Sequence, residues 1–174
     1  MSIAIVIDTD IVRAASNSSA DHAKLCASIL EAIRDNNELT LALSKELKTE
    51  WLKQRENGRP YISYFAYVWW ADMQSQGRVE IYPIDYKKGE AILDSFSDDT
   101  IRKRVEKDLH IVLTALSANK RLISNNTQER KHFQSACPQV PCLADILWPD
   151  PVNEEVVDWL NRNAPRVPKY LVCN

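Results

Sequence analysis

Two kinds of apolar run alternate along this chain. One is short and unbroken; the other is longer, with apolar residues three or four apart. Ile3-Ala4-Ile5-Val6-Ile7 is the clearest of the first kind. A β-branched run of that length predicts a strand, 3–8, buried on both faces. Similar short runs predict strands at 39–43, 122–124 and 144–148, and Val79-Glu80-Ile81-Tyr82 a small extra one. The longer runs read as helices. The first covers about 20–35, with Leu25, Ile29, Leu30 and Ile33 on one face. Ser44 is a natural N-cap for a second, reaching about Gln54 before Asn57-Gly58 stops it. Pro60 opens an aromatic-rich helix over 61–74, ended by Gly77, and a short helix lies near 87–95. Ser97-Asp98-Asp99 starts a helix that runs to Ser117 with a break near Lys107. Helices at 127–135 and 154–163 complete the series. Strands and helices in this order predict an α/β fold, a three-layer α/β/α sandwich with a central, mostly parallel sheet. With no repeat, low-complexity tract or linker, residues 1–174 read as a single domain.

Composition changes this picture little. Apolar residues are 45% and charged residues 26% of the chain, ordinary for a globular protein. No run is long enough to cross a bilayer, and no basic region precedes the first apolar run as it would in a secretory signal, so a cytoplasmic location is expected. Cys137 and Cys142 stand in a CPQVPC stretch with His132 upstream, but no second Cys/His pair completes a zinc site. The four cysteines, Cys26 and Cys173 included, are therefore expected as reduced, packed thiols. A net charge of −2 excludes a globally basic coat. Two local basic runs remain: Lys45, Lys48, Lys53, Arg55 and Arg59, then Arg102, Lys103, Arg104 and Lys107. Each reads as a solvated helix face or as a phosphate-contacting rim.

The acidic residues point further. The first strand ends in Asp8-Thr9-Asp10, and ligands of open parallel sheets bind at the carboxyl ends of strands. Locally, Asp8 can serve a divalent cation or simply cap a following helix. Glu46 and Glu50 lie four apart after the second strand, and Asp108 opens an apolar segment leading to the third. Asn125 and Asn126 end that strand, with Glu129 one turn on. Their common place at strand ends favours the functional reading.

These residues carry a family resemblance. Ile5-Val6-Ile7-Asp8-Thr9-Asp10 resembles the first-strand signature of PIN domains. The stretch Ser44 to Trp51 is similar to the second motif, its metal-binding Glu matching Glu50, and Asp108 to Leu116 is similar to the third. Leu122-Ile123-Ser124-Asn125-Asn126 stands at the fourth, and Trp148-Pro149-Asp150-Pro151 with Trp159-Leu160 resembles the ending of some bacterial members. The resemblance implies metal-dependent phosphodiester hydrolysis, usually of RNA, with Mg²⁺ or Mn²⁺ as cofactor. It implies Asp8 and Asp108 as principal ligands, Glu50 as ligand or orienter of water, Asp10 in support, and Asn126 as an outer ligand. Where the family commonly has Asp, this chain has Asn126; Asp10 or Glu129 can restore the missing carboxylate. Thr9 and Ser44 are expected to hydrogen-bond ligand carboxylates. His110 is assigned to the core. Tyr64, Tyr67, Trp69 and Trp70 are assigned to core or a dimer face in preference to base stacking.

The leading expectation is an endoribonuclease acting as a toxin or defence effector. Its partners are single-stranded RNA, with DNA as second polymer, an antitoxin or other protein, and a second copy of itself. A second expectation is a weakened PIN-like domain that binds RNA or a protein without cutting, as Asn126 suggests. A distant third is a phosphatase using Asp8 as nucleophile and Asp10 as acid/base.

Overall fold

The computed structural model describes residues 2–54 and 58–174. Arg55 of the first basic run and the expected helix stop at Asn57 lie outside the described residues.

The expected α/β sandwich is found. Strand β1 (Ile3–Ile7) lies between β2 (Leu39–Leu43) and β4 (Leu122–Ile123), and β3 (Val79–Ile81) pairs with the far side of β2. All pairings are parallel, in the order β3-β2-β1-β4. Position explains composition here. β2 is buried throughout and β1 nearly so, whereas edge strand β3 is half-buried and carries Glu80. Helix α1 (Thr9–Ala14) leaves β1 directly, and α2 (Asp21–Asp35) covers one face together with α4 (Tyr64–Ser75) and α8 (Val156–Asn161). On the other face α6 (Asp99–Ser117) crosses β1, β2 and β4, with α5 (Tyr86–Asp94) packed on it. Helix α3 (Lys45–Leu52) follows β2, and α7 (Thr127–Ala136) follows β4.

Several expectations need correction. Helix α6 has no break near Lys107, so Asp108 lies inside a continuous helix and does not open one. Helix α4 begins at Tyr64, not after Pro60, because the Ser63 hydroxyl caps it by accepting from Ala66 N (3.0 Å). Lys53 leaves the helical path, and Tyr61 N donates back to Lys53 O, so α3 ends at Leu52. The expected strand at 144–148 is a 3₁₀ turn, Pro141–Asp145, followed by single bridges from Leu147 to Arg121 and Leu171. Pro141 favours the tight turn, and Pro149 has no N–H to extend a ladder. The last helix is shorter than expected, Val156–Asn161. The cysteines are not all reduced: Cys137 and Cys173 form a disulfide, joining the chain's end to α7, while Cys26 and Cys142 are free. The Cys137–Cys142 stretch is thus no zinc half-site. No described helix is long and apolar enough to cross a membrane.

Arg78 holds edge strand β3 to the body. Its buried guanidinium donates to the carbonyls of Ile33, Arg34, Asn36 and Leu39 at 2.6–3.1 Å, closing the carboxyl end of α2. The Ile33 and Arg34 carbonyls, in the last turn of α2, have no intrahelical donor, and a cation at that end also suits the helix dipole. Arg78→Ala is expected to cost about 3 kcal/mol, since it orphans several buried acceptors at once. Arg78→Lys should recover little, because an ammonium lacks the planar fork. Urea midpoints of the two variants check this; a midpoint within error of wild type for Arg78→Ala would sink it.

Candidate active site

The parallel sheet delivers its strand ends to one edge, and the acidic residues gather there. Asp8 follows β1, and its backbone N–H donates to Ile123 O (2.9 Å), fixing it beside the end of β4. It stands at the N-cap position of α1, yet its side chain makes no capping bond. Instead its Oδ2 accepts from the Ser124 hydroxyl at 2.6 Å, and Ser124 in turn accepts from Asn126 N at 3.0 Å. Capping is therefore not what the Asp8 carboxylate does. Asp10, in the first turn of α1, accepts from Asn125 N at 2.9 Å through Oδ2. Its Oδ1 is buried without a partner.

Three more acids complete the group. Asp108 comes from α6, whose charge raises the pKa of Asp8, Asp10 and Glu129 alike. Glu129, on the first turn of α7, is only 5% exposed, and its Oε1 has no partner. Glu50, on α3, accepts from His110 Nε2 at 2.8 Å. His110 thus belongs to the site and not to the core as expected; it is two residues from Asp108 on the same helix.

Burial and like charge set the electrostatics. Burial chiefly, then Asp10 and Asp108, pushes Asp8 far above the usual carboxylate range despite the Ser124 hydrogen bond. Burial likewise raises Asp10, partly opposed by the Asn125 N–H. Glu129 is pushed up to about 7, by burial first and Asp108 second, with Arg104 opposing. Asp108 is raised by burial, offset in part by His110, and raised further by Glu50. Glu50 moves the other way. Burial would raise it, but the His110 hydrogen bond, nearby Thr9 and the charges of His110 and Arg13 hold it below its ordinary value. Burial disfavours the His110 imidazolium, yet Glu50, Asp108 and Asp8 outweigh that and raise its pKa.

The expected set is mostly brought together. Asp8, Asp10, Glu50 and Asp108 share the site; Glu46 turns aside to accept from the exposed Tyr86 hydroxyl. Asn126, expected as an outer ligand, uses its side-chain carbonyl as a helix cap. Its Oδ1 caps α7, accepting from Glu129 N at 3.0 Å. Ser44 caps α3 by accepting from Leu47 N, as its place before the helix foretold. The aromatic group divides: Trp69 and Trp70 are buried, Trp69 Nε1 donating to Leu30 O, whereas Tyr64 and Tyr67 are exposed. Basic side chains stand around the acids, with Arg13 near Glu50, Lys107 near Asp108 and Arg104 near Glu129. Ser124 had no role in the sequence reading. A hydroxyl directly after a strand adjacent to β1 was the available signal. For Glu129, Asn126-Thr127-Gln128-Glu129 has the cap-x-x-Glu spacing of a helix start.

Asp8, Asp10, Asp108 and Glu129 offer the oxygen donors a hard divalent cation takes. The partnerless, buried Asp10 Oδ1 and Glu129 Oε1 fit such an ion, since buried carboxylate oxygens otherwise find hydrogen bonds. Among the described residues, no three His, Cys, Asp or Glu side chains form a ready-made coordination cage. No family model, no curated protein and no solved structure matches this chain.

Proposed function

We propose that this protein is a PIN-like, metal-dependent endonuclease that hydrolyses phosphodiester bonds in single-stranded RNA, serving as a toxin or defence effector. The observation that carries this reading is the set of four carboxylates, from α1 and its N-cap, α6 and α7, gathered at the carboxyl edge of a parallel sheet, with Asp8 and Glu129 buried and Asp10 and Asp108 half-buried. Repulsion and desolvation make that arrangement costly unless a cation neutralises it. A bound Mg²⁺ or Mn²⁺ would polarise the phosphoryl group and acidify water. Asp8, Asp10, Asp108 and Glu129 would hold the ion, while the Ser124 hydroxyl and Asn125 N–H fix how the first two present their free oxygens. Glu50, kept ionised by His110, orients water toward phosphorus.

The test is cleavage of a mixed single-stranded RNA and DNA panel with Mn²⁺ or Mg²⁺. Controls are EDTA and the Asp8→Ala/Asp108→Ala protein. Metal-dependent cutting lost in both controls is expected. A folded wild type that leaves every polymer intact with either metal would overturn the nuclease reading.

The non-cutting alternative draws its support from Asn126, whose carbonyl is committed to the cap. Glu129 answers it, because that cap places a fourth carboxylate where Asn126 supplies none. Glu129→Gln is therefore expected to slow cleavage by roughly 10–100-fold, the scale seen when metal-site groups are altered. Asn126→Ala should instead cost about 1 kcal/mol of stability as a lost cap. If Asn126→Ala slowed cleavage as strongly as Glu129→Gln at unchanged stability, these two roles would be reversed.

A further inference from the structure

Two cation-lined clefts are tied to Glu50, one by its lining and the other through the charge of Arg13. One, of about 690 Å³, is walled by Lys45, Lys48 and Lys53 and reaches Glu50 and His110. The other, of about 560 Å³, is lined by Arg13, Arg59, Pro60, Ile62, Ser63 and Tyr64. Arg13 joins the second to the first, because its charge acts on Glu50 while its guanidinium stacks on the Tyr61 ring at 4.4 Å. The two clefts differ in kind. The lysine cleft offers point charges on flexible stems, which suit a backbone phosphate whatever its neighbour. The arginine cleft adds aromatic faces, and Tyr64 on its rim is 83% exposed. An exposed tyrosine beside two arginines is the combination that stacks an unpaired base and neutralises its phosphate.

We propose that the ligand of this centre is a single strand several nucleotides long. It lies across the carboxylates with its backbone on Lys45, Lys48 and Lys53, and it stacks a base on Tyr64 beside Arg13 and Arg59. This rests on the nuclease reading for what happens at the centre, and it adds how the polymer is held. A mononucleotide or small phosphoester reaches one cleft at a time; a strand reaches both. The same helix face carries Tyr67 and Val68, 39% and 49% exposed, which offers a competing use as a protein contact. The arginines beside Tyr64 favour a polyanion over an apolar partner.

The experiment is anisotropy of fluorescein-labelled oligouridylates of two, four, eight and twelve nucleotides, in Ca²⁺ buffer. The proteins are wild type, Tyr64→Ala, Tyr64→Phe and Lys48→Gln/Lys53→Gln. Affinity is expected to climb with length. Tyr64→Ala should weaken the twelve-mer roughly tenfold, the scale of one base–aromatic stack, and the two-mer, which occupies either cleft, by less. Tyr64→Phe should bind as wild type, and the double lysine variant should lower the salt slope by roughly one per charge removed. Equal affinity for all lengths, or a twelve-mer indifferent to Tyr64→Ala, overturns the proposal. So does a Tyr64→Ala protein that keeps the twelve-mer but loses self-association in sedimentation. Length- and Tyr64-dependent binding without hydrolysis in Mn²⁺ upholds the strand track and overturns the nuclease reading. Hydrolysis of the two-mer as fast as the twelve-mer does the reverse.

Discussion

Asp108→Asn is expected to lose metal-dependent cleavage by roughly a hundredfold or more and, in EDTA at neutral pH, to melt at a higher temperature than wild type. Both effects follow from the position of Asp108 among the acids. Its charge raises Asp8, Asp10 and Glu129 together, so it is the shared neighbour of the other carboxylates. Removing it takes an oxygen ligand and a negative charge from a divalent ion, which costs at least as much as disturbing a group that only orients a ligand. The amide also relieves repulsion in the metal-free protein, and a gain on the order of 1 kcal/mol is expected. Stability gained where activity is lost marks a site arranged for chemistry and not for folding. Cleavage rates and thermal melts on the same protein decide it. A variant that neither cuts nor folds as well as wild type would assign Asp108 to the scaffold instead.

The metal-free wild type is expected to lose stability between about pH 4.5 and pH 7, and Mn²⁺ to reverse the loss. Glu129 gives the sign. Its folded pKa is about 7, against an ordinary value of 4.5. Between those values the folded chain retains a proton that the unfolded chain has released, so folding weakens as pH rises. The upper bound from Glu129 alone is about 3 kcal/mol. Asp8 and Asp10, raised in the same direction, add to it. His110 joins them only above its ordinary value of 6.5, because a raised histidine stabilises fully below its unfolded pKa and ceases to as pH passes the folded one. Glu50 opposes them, its lowered pKa contributing stability that is present above the unfolded value and lost on acidification. Metal bound only by the folded chain should restore about 2.7 kcal/mol at a hundredfold excess over its dissociation constant. Urea midpoints across this range, with EDTA and with Mn²⁺, provide the check. A metal-free protein that grows steadily more stable up to neutral pH, with no response to Mn²⁺, would remove the case for a cation centre.

Strands β1, β2 and β4 were legible because they are buried and read as unbroken apolar runs, whereas the half-buried edge strand β3 was legible as a short alternating one. Helix ends were less so where two signals competed. Pro60 and Ser63 both suggest a start for α4, and a hydroxyl that satisfies an amide outweighs a fixed φ. The expected break in α6 near Lys107 is absent, and the charge of Arg104 in that stretch acts on Glu129 from α7. Ala144 to Trp148 looked like a strand by composition alone; two prolines around it prevented a ladder. That Asp8, Asp10 and Glu50 come together was legible because each lies near an element end, whereas Asp108, in the middle of α6, was singled out through the motif it resembles. The roles of Ser124, His110 and Asn126 could not, since each depends on a partner known only after folding, such as Glu50 sixty residues away from His110.

The bond between Ser124 and Asp8 spans 116 positions of the chain, and Glu129 stands further on still. Closing so long a loop comes late in folding, after local helices have formed. A nascent chain that has emerged only as far as α6 therefore has its central strand but lacks the hydroxyl, the amide and the last carboxylate that finish the site. Ion uptake, if the carboxylates hold a cation as proposed, should then appear as one of the last events of refolding, so that an incomplete copy lacks the finished centre.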